Sequence, residues 1–168
     1  MNAPYYGKYR GTVVNNVDPQ QTGRIQALVP DVTGVIPTTW ALPCVPFAGA
    51  QQGIYVVPPI GSGVWIEYEQ GDPDYPVWTG GFWGSAAEVP ALALAGNPAS
   101  PSIVLQSGLQ NSITISDLPG PAGGIAIKSA TGAMILVTGA GITITNGQAS
   151  IVLAGTSVII NDGALAVT

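Results

Sequence analysis

The chain has 168 residues, 46% of them hydrophobic and only 8% charged, with 23 glycines, 15 prolines, no histidine and a formal net charge of −5. This composition excludes a disordered chain and points to an all-β protein, and four basic residues are too few for a surface that tracks nucleic-acid phosphates. A lone soluble domain covers itself with charge, so a surface this poor in it implies cover by other chains.

The first predicted elements are a hairpin. YRGTVVNNV (9–17) reads as a strand ending in the turn DPQQTG, and GRIQALVP (23–30) reads as its antiparallel partner, because Asp-Pro starts turns and Gly23 can take φ > 0. TTWALPCVPF (38–47) follows as an extended segment. Its Cys44 has no partner for an internal disulfide, and its apolar neighbours predict a buried structural thiol made in a reducing compartment. Two more strands follow, VWIEYE (64–69) and VWTGGFW (77–83), punctuated by GSG and GDPDYP. About five strands of this length suit a small closed barrel.

PALALAGNPASPS (90–102) reads as a linker. Beyond it, two-residue alternation starts again at Ile103, Ile113, Ile125, Ile135, Ile142, Ile151, Val158 and Leu165. Turns such as TNGQ, AGTS and NDGA separate the last of these strands. Strands so short bury little apolar area within one chain. Stacking against copies around a shared axis is the remedy, which predicts an intertwined trimeric β-helix with a core of Ile142, Ile144, Ile151, Leu153, Val158, Ile160, Leu165 and Val167. A β-sandwich or a single-chain solenoid is the competing reading of the same pattern.

Candidate chemistry is sparse. Without histidine no Ser-His-Asp or Cys-His arrangement exists, and Ser62 reads as a turn residue. Asp72 and Asp74 straddle a proline and read as turn caps rather than a catalytic acid pair. Glu67 and Glu69, on one strand face, form with Asp72 a conceivable cation site, with a solvated face as the default. TGAGITITNG (138–147) lacks the Lys-Ser/Thr of a phosphate loop. The tryptophans with Tyr55, Tyr68 and Tyr75 could make a stacking platform, but a barrel core or chain contact is favoured. Lys8 and Arg10 could meet an acidic partner surface. No catalytic, cofactor-binding or metal-binding residue is assigned.

The stretches GTVVNNVDPQQTGRIQALVPDV (11–32) and PPIGSGVWIEYEQGDPDYPVWTGGFWG (58–84), with Trp40 between them, resemble the oligonucleotide/oligosaccharide-binding (OB) fold domain of phage baseplate assembly protein V. That family includes the tail spikes of phages and of contractile injection systems. The shared pattern is a strand, an Asn-x-Asp-Pro turn and Gly-Arg, then a Pro-x-x-Gly turn, a strand and Gly-Asp-Pro-x-x-Pro.

The resemblance implies an OB barrel over residues 1–89, a linker over 90–102 and a triple-stranded β-helix spike over 103–168. It implies a homotrimer under a baseplate hub protein, working without catalysis or cofactor as the central spike that transmits contraction force into a target membrane. A trimeric receptor- or carbohydrate-binding tail fibre is the alternative. Having no His-x-His, the chain cannot build the apical iron cage of some phage spikes, and no built-in lysozyme or fused hub domain is seen. A tip made of three β ends is blunt, so a conical protein with Pro-Ala-Ala-Arg (PAAR) repeats is expected to dock on Ala164, Leu165, Ala166, Val167 and Thr168. Synthesis in the cytoplasm without a signal peptide, and assembly into a tail or injection particle, complete the expectation.

Overall fold

The computed structural model describes residues 4–95, 97–120 and 123–167. The chain divides into two compact units, Met1–Ala86 and Ala87–Thr168.

The first unit is built on β1 (Tyr9–Asn15), β2 (Gln26–Leu28), a single helical turn α1 (Pro30–Thr33) and β3 (Leu42–Pro43). A two-stranded hairpin of β4 (Ala48–Gly49) and β5 (Gln52–Gly53) follows, then β6 (Gly63–Tyr68) and β7 (Pro76–Phe82). The main sheet runs β2-β1-β6-β7-β3, antiparallel throughout except for the β3–β7 pair, which is parallel. Bridges Ile25–Ala41 and Leu28–Pro37 join the β2 end of this sheet to the segment leading into β3. Ile25 N–H donates to Ala41 O (3.2 Å), and Ala41 N–H donates back to Ile25 O (2.8 Å). The sheet therefore returns on itself as a five-stranded barrel, as the resemblance implies.

Alternation decides what fills it. Along β6, Val64, Ile66 and Tyr68 are buried while Trp65 and Glu67 face outward. Val13, Ile25, Ala27, Val29, Ala41 and Trp78 complete the interior. Burying one such aliphatic side chain contributes about 1.5–3 kcal/mol, so this small set dominates the stability of the unit.

The second unit opens with one helical turn, α2 (Ala91–Leu94), inside the segment read as a linker. Eight strands follow: β8 (Ile103–Gln106), β9 (Ser112–Ser116), β10 (Gly124–Lys128), β11 (Met134–Thr138), β12 (Gly141–Thr145), β13 (Ser150–Ala154), β14 (Ser157–Ile160) and β15 (Leu165–Val167). Each pairs antiparallel with its neighbours in sequence, giving one sheet ordered β15 to β8. Each rung is thus hydrogen-bonded to the next within the chain. Tight turns cause this: Asn146 N–H donates to Ala149 O across one connection, and Gly132 N–H to Ser129 O across another. What remains for other chains to cover is side-chain surface.

Gly124 and Gly141 open β10 and β12 at φ 115° and 147°. A Cβ at either would run into a backbone carbonyl, of Val137 or of Leu153. Only glycine fits both the dihedral and the space.

Candidate functional site

Residues directly opposite one another in an antiparallel pair project to the same face. The register links Ile142 to Leu153 and Ile144 to Ile151, then Ile151 to Ile160 and Leu153 to Val158, and finally Ile160 to Leu165 and Val158 to Val167. All eight residues expected in a trimer core therefore belong to one face. The side chain of Val167 lies outside what is described.

The same face continues through the earlier strands, where the sequence reading marked Ile103, Ile113, Ile125 and Ile135 only as strand starts. Ile142 and Ile144 pair with Val137 and Ile135, these with Ile125 and Ile127, and these in turn with Ile115 and Ile113, which meet Ile103 and Leu105. Two unbroken aliphatic columns result, and their exposed members range from 38% at Val137 to 66% at Leu105. The alternation that identified the strands was the signal for this extension.

The opposite face is mixed. Val104, Thr114, Ala126, Leu136, Thr143, Val152 and Ile159 form its middle, and Ser112, Lys128, Thr145 and Ser150 flank it along one margin. An aliphatic face with this much exposure is larger than a monomer leaves to water.

β15 is an edge strand, hydrogen-bonded only to β14 among the described residues. The turn before it holds Asn161 and Asp162 at φ 49° and 54°, and Ala164 N–H donates to Asn161 O (3.1 Å). Leu165 is 55% exposed. Of the expected docking residues, Thr168 and the side chains of Ala166 and Val167 lie outside what the structure describes.

In the barrel, the turn after β1 is organised by Asp18, which is nearly buried. Its carboxylate accepts from Arg24 Nη2 and Nε (2.6 and 3.0 Å) and from the backbone N–H groups of Gln20, Thr22 and Arg24. The Arg24 side chain first, and those backbone donors after it, hold the Asp18 carboxyl far below the ordinary range against the opposing effect of desolvation. Arg24 also lies over the Trp40 ring at 5.3 Å. Sequence reasoning saw Asp18 only as part of a turn, and Arg24 only as a match to a pattern.

The remaining candidates separate. Lys8 Nζ reaches Glu67 Oε1 (2.6 Å) and Thr79 Oγ1 (3.0 Å), and the Arg10 guanidinium stacks on Trp65 and Phe82 at 5.3 and 4.9 Å. Both cations are therefore engaged within the barrel. Glu69 leaves the strand for a 3-10 turn, so it does not share the β6 face with Glu67 as the alternation implied. Asp72 Oδ1 accepts the Asp74 N–H (3.0 Å), a turn cap. Ser62 N–H donates to Pro59 O (3.1 Å).

The aromatic residues do not gather into one platform. Trp78 is buried and donates Nε1–H to Gly23 O (3.0 Å), whereas Tyr55, Tyr75 and Trp83 are exposed. Tyr5, Tyr9 and Tyr68 form a ring cluster, with centroids about 6 Å apart in each pair. The Tyr68 hydroxyl is buried there without a hydrogen-bond partner among the described residues, and desolvation first, then the charges of Tyr9 and Tyr5, push its pKa up to about 12.

Cys44 is exposed, not buried as expected. Along the strand segment Ala41 points into the barrel, so Leu42 and Cys44, at odd steps from it, point away. Among the described residues no group of three or more His, Cys, Asp or Glu side chains could hold a metal ion, and no helix is long and apolar enough to cross a membrane.

Comparison with known families finds two matches. Residues 9–83 match the type VI secretion system/phage-baseplate injector OB domain, which is the barrel described above. Residues 102–166 match the phage baseplate V C-terminal trimerisation domain, which is the eight-stranded sheet with its apolar face. No curated protein matches the chain. The second match supports a homotrimer, and the two occur in the order barrel then trimerisation domain. The chain belongs to the phage baseplate assembly protein V family, whose members are structural components of baseplates.

Proposed function

We propose that this protein is the central spike of a contractile tail or injection-system baseplate, a trimeric rod that transmits contraction force and pierces the target cell envelope. The observation that carries the reading is the pair of uninterrupted aliphatic columns on one face of the second unit. Three such faces turned toward a common axis form a dry core. At roughly 4.8 Å per strand, eight strands make a rod about 40 Å long.

Stiffness comes from the arrangement. Each rung is hydrogen-bonded to the next along its chain, so bending the rod strains hydrogen bonds and aliphatic packing together. The mixed, charge-poor opposite face then forms the exterior. The baseplate hub protein receives the barrels, and a PAAR-repeat protein seats on the open edge of β15 at the tip, with Leu165 as an apolar contact.

Neighbouring residues on opposite faces test the inward assignment. Ile144→Asp places three carboxylates in the apolar core at a cost of about 3 kcal/mol or more per chain, and Thr143→Asp places them outside. Native mass measurement should find Ile144→Asp monomeric and Thr143→Asp trimeric. Equal trimer yield from both variants would reject the assignment. Particles assembled with a spike unable to trimerise should contract without permeabilising target envelopes.

A further inference from the structure

We infer that the barrels of the trimer lock to one another by a knob and a groove, the Val35–Ile36 tip of one protomer entering the apolar groove beside Cys44 of the next. This rests on the trimeric reading above and concerns the first unit of each chain.

Residues 32–66 contain no charged side chain, although much of the segment is exposed. It supplies two apolar features of opposite shape. One is the projection after α1, where Val35 is 91% and Ile36 68% exposed. This tip is preformed. Thr33 N–H donates to Val29 O (2.9 Å), Ile36 N–H donates to Thr33 O (3.2 Å), and the Leu28–Pro37 bridge anchors its return.

The other feature is a groove of about 610 Å³, lined among others by Cys44, Val45, Ile54, Val56, Trp78 and Gly81. Its origin is visible in the pairing. β3 follows β7 only as far as Pro43 opposite Trp78, with Cys44 N–H donating to Trp78 O (2.9 Å), and beyond that point the two strands part. Gly80 and Gly81 then leave the wall without side chains. No charged residue lines the groove.

Three-fold symmetry selects the occupant. In a closed ring of three, contacts away from the axis are heterologous, so each protomer presents two different and complementary surfaces to its neighbours. A projecting aliphatic tip and a recessed aliphatic groove meet that requirement. The tip of a chain does not fill its own groove, whose lining includes neither Val35 nor Ile36.

The chain's single cysteine makes this testable, because it stands exposed on the groove wall. Val35→Cys adds one thiol at the tip of the full-length protein. Diamide oxidation should then give covalent dimers and trimers on a non-reducing denaturing gel, which reductant reverses. Wild type, Val17→Cys and the double variant Val35→Cys with Cys44→Ser should stay at the monomer position.

Absence of covalent product from a Val35→Cys protein that native mass still reports as trimeric would overturn the inference and leave the trimer standing. It would also hand the groove to a different partner. Cross-linking that persists in the Cys44→Ser background would mean that tip meets tip, and would overturn it as well. A monomer by native mass would remove the trimeric reading itself.

Discussion

Arg24 closes on Asp18 through two nitrogens, Nη2 at 2.6 Å and Nε at 3.0 Å from the same carboxylate oxygen, Oδ1. The folded-state pKa of Asp18 is depressed, so the stability tied to it is fully present above the ordinary carboxylate range and is lost as pH falls below about 4. Thermal melts of wild type and Asp18→Asn should lie well apart at pH 7, with the variant lower, and converge as the pH is brought toward 2. Parallel curves across that range would show that the pair does not couple to folding.

Tyr68 carries the opposite expectation. Its hydroxyl is buried with no partner among the described residues, so Tyr68→Phe removes a desolvated polar group and should be neutral or stabilise the barrel by up to about 1 kcal/mol. The raised pKa of about 12 against an ordinary 10.0 means that the proton is retained on folding. The associated stability is whole below pH 10 and fades as pH rises toward 12. The stability difference between wild type and Tyr68→Phe should be constant below pH 10 and widen above it. A loss of more than about 1 kcal/mol at pH 7 would reveal a hydrogen bond that the geometry does not contain.

Gly139 and Gly141 stand two residues apart and should respond differently. A methyl group at Gly139 meets nothing within 4 Å, whereas Gly141 has φ 147° and a backbone carbonyl where the Cβ would go. Gly141→Ala should cost about 1–3 kcal/mol and lower the melting temperature of the trimer, with Gly139→Ala close to wild type. Melting curves in detergent would compare them, and equal behaviour would mean that the β12 backbone shifts freely.

Ending the chain after residue 96 should leave a folded barrel, since its core residues all lie between Val13 and Trp78. Proton NMR of this fragment should show dispersed signals, while native mass finds the trimer weakened or absent. A fragment as resistant to heat and detergent as the full chain would move the main trimer contact into the barrel.

Removing residues 164–168 takes away β15 but leaves seven strands of the sheet. The trimer should persist while co-purification of a PAAR-repeat tip protein is lost. Retention of that partner by the shortened spike would place its docking surface elsewhere.

Barrel and sheet were legible because side-chain alternation records burial directly. Val64, Ile66 and Tyr68 against Trp65 and Glu67 need no other information, and the Ile pairs beyond residue 103 follow the same rule. The choice between pairing within a chain and pairing between chains was not legible, because both require the same alternation. Cys44 was misread from its apolar neighbours, when its odd step from Ala41 along the strand was the better guide. Asp18 looked like a turn starter because the number of donors converging on it depends on how the loop folds back. The knob at Val35 and the groove beside Cys44 carry no motif, since one is a matter of exposure and the other of two strands parting.

The aliphatic columns of the second unit repeat with every strand and change little from rung to rung. A surface of that kind attracts its copies strongly but keeps no record of axial position: three sheets slipped by a pair of strands along the axis would bury nearly the same methyl groups. The core works like an unmarked ruler. In the rod proposed above, alignment of the three chains would therefore have to be read from something that does not repeat, and the barrel, unique along its chain, is the part that could supply that zero mark.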